Sequence, residues 1–159
     1  MKQLTALKQI LKQDDREVFT KGYMRNGKQY VGCPYMYCAF NEKKDIPQHD
    51  ENYVYPDFDR VTEGMKGHDV EFKLPTSAEI AQYIRDEKAK RNKYDRTIIH
   101  YVFPDGTTVN AKYLQIMIDA IPNAKAYGKY RYVEYKPYIN GIYFTSDDGE
   151  GILMAVKRI

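Results

Sequence analysis

The chain has 159 residues, a length that suits one domain whose core needs neither disulfide nor metal to hold it. Hydrophobic residues at 43% and charged residues at 30% argue against a disordered chain, and no apolar stretch approaches the roughly 20 residues of a membrane span. The net charge of +3 is too small to declare a polyanionic partner, so any such contact must come from a local patch.

Residues 3–12 place Leu4, Leu7 and Leu11 at i, i+3 and i+7 with Ile10 beside them, which predicts a short amphipathic helix ended by Asp14-Asp15. Residues 18–24 read as a strand, Asn26-Gly27 as a two-residue hairpin turn, residues 29–32 as the return and residues 35–40 as a third strand after Pro34. Residues 41–75 are the least regular part, with Tyr53-Val54-Tyr55 as a short strand and residues 69–74 as a strand carrying Val70, Phe72 and Leu74 on one face. Thr76 and Glu79 match a capping box and open a helix that runs through Ile80, Ala81 and Ile84 toward Lys90.

Residues 97–103 read as a strand, turned by Pro104-Asp105-Gly106-Thr107, and residues 107–109 lead into a helix over 110–121. Asn110 is its expected N-cap and Pro122 its stop. The polar interior positions of that helix, Lys112, Gln115 and Asp119, fall within one narrow stripe. Most of its circumference must therefore be covered, and Leu114 and Ile118 are expected under a sheet. Strands are expected at 124–127, 130–135, 138–145 and 151–157.

The stretch from Val109 to the end carries a family resemblance. Val109-Asn110-Ala111-Lys112-Tyr113-Leu114 opening a helix, a turn at Asp147-Asp148-Gly149-Glu150-Gly151, and a closing Ile152-Leu153-Met154-Ala155-Val156-Lys157-Arg158 resemble the C-terminal end of a bacterial DNA sliding clamp domain. That family comprises the β subunit of the replicative polymerase, DNA polymerase III, and short clamp-like proteins of phages and mobile elements. Ala155 stands where the family commonly has Pro, and this chain has room for one domain rather than three. The first forty residues repeat the order helix, strand, strand, strand. The resemblance thus implies an α+β fold: one clamp-like domain over 1–159, with two helix-plus-antiparallel-strands halves, roughly 1–75 and 76–159, and helices packed on sheets. It also implies a non-enzymatic protein of DNA transactions that contacts DNA, replication proteins or both, and a homo-oligomer if a ring is to close. The alternative is a small regulatory module of mobile-element origin that binds protein and not DNA.

The residues offer few sites. Arg85, Lys88, Lys90, Arg91, Lys93 and Arg96 put six cations in twelve residues at the end of the capped helix, the best candidate for phosphate contacts. The competing account is a solvated helix end whose cations complement the helix dipole, with Asp86, Glu87 and Asp95 diluting the charge. Asp45, Asp50, Glu51, Asp57 and Asp59, with His49, match no known cation-binding spacing and read as a solvated loop. His100 reads as a hydrogen-bonded strand histidine. No nucleophile motif or Gly-rich phosphate loop is present, so no catalytic residue, metal or cofactor is expected. Cys33 and Cys38 lie five apart inside residues 31–40; on one strand that spacing puts them on opposite faces, which disfavours a disulfide or shared metal and reads as free thiols. Tyr130, Tyr132, Tyr135, Tyr138 and Tyr143 could stack bases, but their alternation with Val133, Ile139 and Phe144 favours ordinary sheet packing. Lys8 and Gln9 interrupt the run that a signal peptide needs, which predicts a cytoplasmic protein.

Overall fold

The computed structural model describes residues 2–156. The chain is mixed α+β. Helix α1 (Lys2–Ile10) buries Ala6, Leu7 and Ile10 on one side, as the leucine spacing requires. A 3₁₀ turn (Glu17–Phe19) follows, then strands β1 (Tyr23–Arg25), β2 (Lys28–Cys33) and β3 (Met36–Phe40). The expected strand over 18–24 is therefore mostly a turn that inserts Phe19 into the core. Asn26 and Gly27 form the β1–β2 turn with φ of 51° and 78°, left-handed values that suit this pair.

Residues 41–75 are not the long loop their composition suggests. Helix α2 (Phe58–Met65) lies inside them, capped by the Asp57 carboxylate, which accepts from the Arg60 N–H at 3.3 Å. Phe58, Thr62 and Met65 form its buried stripe. Tyr53-Val54-Tyr55 forms no strand. Strand β4 (Val70–Phe72) and helix α3 (Ser77–Ala89) come next, then strands β5 (His100–Val102) and β6 (Thr108–Asn110), helix α4 (Ala111–Ala120) and strand β7 (Lys125–Gly128). The chain closes with β8 (Tyr130–Val133), β9 (Lys136–Ile139), β10 (Gly141–Thr145) and β11 (Gly149–Met154). The expected strand over 138–145 is two strands, parted at Asn140, and the closing strand starts earlier than expected and ends at Met154. Lys157, its expected last residue, lies outside the described residues.

Seven strands make one antiparallel sheet in the order β1-β2-β3-β11-β10-β7-β4. The centre is the β3–β11 pair, with Cys38 opposite Gly151. Outward from it the order mirrors: β2 and β10 flank the centre, then β1 and β7. Each trio follows a helix, α1 for β1–β3 and α4 for the strands after it, and these two helices pack on each other. Strand β4 adds to the far edge beside β7. The strands thus merge into a single large sheet rather than separate ones.

That sheet is covered on both faces. On one, Cys38 Sγ lies 3.8 Å from Met117 Sδ of α4, and α4 also meets α1 and α3. On the other, Tyr37 stacks on Phe58 of α2 with ring centroids 4.5 Å apart. Tyrosine hydroxyls tie this second face together: Tyr30 donates to Asp59 at 2.8 Å, Tyr37 bonds Thr62, and Tyr143 donates to Glu150 at 2.5 Å. These three tyrosines serve buried positions that need an apolar ring and a partner for its polar tip. Burial pushes the Tyr143 hydroxyl up to about 12.

Cys33 and Cys38 lie on neighbouring strands rather than one. Cys38 faces Val31, two residues from Cys33, so both thiols share a face, in contrast to the expectation. Both are buried and free. Burial raises both thiols above their ordinary value, which leaves them unreactive.

Gly151 sets how closely α4 can approach. A Cβ there would stand 2.6 Å from the Tyr37 carbonyl oxygen, 2.8 Å from Ile121 Cδ1 and 2.9 Å from Met117 Cε. The carbonyl belongs to the central strand pair and cannot yield cheaply. Gly151→Ala should therefore destabilise by about 1–3 kcal/mol through overpacking, read as a lower urea midpoint at an unchanged slope.

Candidate nucleic-acid interface

Helix α3 starts where its sequence says it should. The Thr76 N–H donates to Glu79 Oε1 at 3.0 Å, and the Glu79 N–H donates to Thr76 Oγ1 at 3.1 Å, a complete capping box. Those bonds hold the Glu79 carboxyl below its usual value, the Thr76 N–H foremost. Ile80 is fully buried, with Tyr83 and Ile84 packed beside it, so the helix is anchored near its start and its far end is solvated.

The six cations of the α3 end differ in what they do. Arg85 Nη2 donates to Gln82 Oε1 at 2.7 Å, and Lys90 Nζ pairs with Glu87 at 3.1 Å. Arg91 turns back on its own loop: Nη1 bonds the Thr97 carbonyl and Nη2 the Ile98 carbonyl at 3.4 Å. Asp95 accepts from the Thr97 hydroxyl and from the Thr97 N–H at 2.9 Å, and these bonds, the hydroxyl foremost, hold its carboxyl below the usual value. Residues 97–99, expected as strand, belong to this braced loop, and the strand itself is confined to β5.

Lys88, Lys93 and Arg96 remain exposed, and among the described residues none of them forms an ion pair. Lys93 Nζ sits 4.9 Å from the centroid of the Tyr94 ring, which is itself 75% exposed. The arrangement can present three cations and an aromatic ring on a loop held in shape by Arg91 and Asp95. It can attract phosphate without reading base sequence.

Of the acidic-loop candidates, Asp50, Asp57, Asp59 and His49 are occupied with structure. Asp57 caps α2, Asp59 accepts from Tyr30, and the Asp50 carboxylate accepts from the Asn52 N–H at 2.9 Å. His49 Nε2 lies 3.0 Å from the Val18 carbonyl, and its ring stacks on Tyr53 at 3.8 Å. Among the described residues no three His, Cys, Asp or Glu side chains converge as a metal site. The His100 side chain is exposed, against the expectation of a bonded strand histidine; its carbonyl accepts from Tyr83 at 2.5 Å.

The tyrosine strands depart most from expectation. Strands β8 and β9 pair only with each other and leave the main sheet as a two-stranded ribbon. Tyr132 is 66% exposed and Tyr135, at the tip, 99%. Pro137 inside β9 was the available signal, because proline is confined to edges and bulges of sheets. Compared with protein-family models, curated proteins and solved structures, the chain matches none. No described helix is long and apolar enough to cross a membrane.

Proposed function

We propose that this chain is a non-enzymatic binding protein of DNA transactions, built on a sliding-clamp-like domain and meeting duplex phosphates through Lys88, Lys93 and Arg96. One observation carries the reading: the sheet order is mirrored about β3–β11, and each trio follows a helix that packs on its counterpart. That order agrees with the two-unit plan that the resemblance of residues 109–158 implies. The three unpaired cations supply the contact surface, and their loop is braced without them.

A single such domain cannot surround a duplex, so the reading requires several copies on DNA. Light scattering across protein concentration, with and without a duplex at low salt, tests this. The expected result is a defined oligomer and an affinity that falls steeply as salt rises. A strict monomer with no duplex affinity at low salt removes the ring. A partner protein bound with shallow salt dependence instead points to the regulatory module.

A further inference from the structure

We propose that the β8–β9 ribbon binds single-stranded polynucleotide, its phosphates on Arg131 and Lys136 and its bases stacked on Tyr138 and Tyr135. The proposal concerns a different surface from the duplex contact and does not depend on it. Cross-strand pairing sets Arg131 opposite Tyr138 and Val133 opposite Lys136, so two cations and an exposed ring share one face. Tyr138 is 42% exposed, and Lys136 and Tyr138 also line a groove of about 750 Å³ that runs toward residues 105–108 and Val156. Arg131 gives one bond to the Gly64 carbonyl at 2.7 Å, which fixes its orientation and leaves further N–H donors free. Alternating phosphate and base is what such a face complements, because every base has a stackable ring whatever its identity.

The turn supplies an independent observation. Two of the hairpins, β1–β2 and β8–β9, place two consecutive residues at positive φ, but they fill those positions differently. The β1–β2 turn uses Asn26 and Gly27, the pair best suited to it; the β8–β9 turn uses Glu134 at 50° and Tyr135 at 67°. A bulky residue in the left-handed region is strained, and Tyr135 recovers nothing by packing, since it is 99% exposed. A ring held in water at a conformational cost is poised to meet something outside the chain. Residues 129–138 also carry Lys129, Arg131 and Lys136 against Glu134 alone, which favours a polyanion over an apolar peptide.

The test is fluorescence anisotropy with a labelled oligothymidylate of about 12 nucleotides, inside the ~4–16 that single-strand sites span. The full chain should bind it at low salt, and a duplex of equal length should compete poorly for the ribbon. Glu134→Asn with Tyr135→Gly converts the turn to the favoured pair. Thermal stability should rise while affinity falls roughly 5- to 150-fold, the value of one lost stack. No purely structural role moves the two readouts in opposite directions. Arg131→Gln with Lys136→Gln should flatten the salt slope by about 0.7 for each lost contact. Tyr132→Ala, on the opposite face, should leave affinity unchanged. Oligouridylate bound more or less tightly than oligodeoxyuridylate supports the site either way and assigns its sugar preference. No binding by the parent, full affinity in both double variants, or concentration-dependent self-association that the turn variant abolishes would overturn the proposal. The last result would make the ribbon a contact between copies of this chain.

Discussion

Leu114→Ala should lower the unfolding free energy by about 2–5 kcal/mol, the range for truncating a fully buried aliphatic side chain. Leu114 has no exposure, and α4 around it is enclosed by the sheet below and by α1 and α3 beside it. A cavity there has little freedom to collapse, because Gly151 already lets the sheet approach as closely as backbone permits. Total stability for a domain of this size is about 5–15 kcal/mol, so the variant should lose a large share of it. Ile118→Ala, one turn on, should cost less, since Ile118 is half-buried rather than enclosed. Equilibrium urea unfolding of both variants checks the difference, and equal losses would show that α4 is covered more evenly than its burial suggests.

The sheet-side half of that expectation was legible in the residues. Lys112, Gln115 and Asp119 mark the one stripe of α4 open to water, and Asn110 caps the helix through bonds to the Lys112 and Tyr113 N–H groups. The capping box of α3 and the Asn26-Gly27 turn were equally plain, because each is decided within four residues. Helix α2 was not. Phe58, Thr62 and Met65 carry the helical spacing, but a threonine in the buried stripe and Gly64 inside the helix weaken it. The ribbon was missed for another reason. Alternating Tyr and Val predict a strand correctly, and Pro137 marks it as an edge, but that one residue does not say that the strand pair leaves the main sheet altogether. The chain leaves the sheet after Gly128 and returns to it at Asn140, whose carbonyl accepts from the Ala155 N–H at 3.0 Å. A Cβ at Gly128 would stand 2.8 Å from Phe72 and 3.0 Å from Ile139, so this glycine lets the base of the ribbon close on the sheet.

The six-cation run shows the same division between local and distant information. Its density was visible in the sequence, but its partition was not, since Arg91 reaches carbonyls six and seven residues ahead. Helical charge rules cover spacings of three and four, which describe Arg85 and Lys90 and nothing beyond the helix. The consequence is practical: Arg91 is a poor probe of binding, because removing its guanidinium strips the Thr97 and Ile98 carbonyls of a donor and loosens the loop.

Lys88→Glu, Lys93→Glu and Arg96→Glu together should sharply weaken duplex binding while leaving the fold intact. The three side chains are exposed and unpaired, so their exchange removes no ion pair, and isolated surface charges contribute little to stability. Each lost phosphate contact should flatten the dependence of log K on log salt by about 0.9, so the slope itself counts how many of the three touch DNA. Thermal unfolding should coincide for parent and variant. Because Arg91 and Asp95 keep the loop braced, a loss of affinity can be assigned to charge and not to collapse of the site. Neutral replacement of the same three residues by Gln should weaken binding less than reversal, since reversal adds repulsion to the lost attraction. Affinity for single strands should survive both sets if the ribbon is a separate site. Unchanged duplex affinity and slope in the reversed variant would show that the end of α3 is a solvated helix terminus with no part in binding DNA.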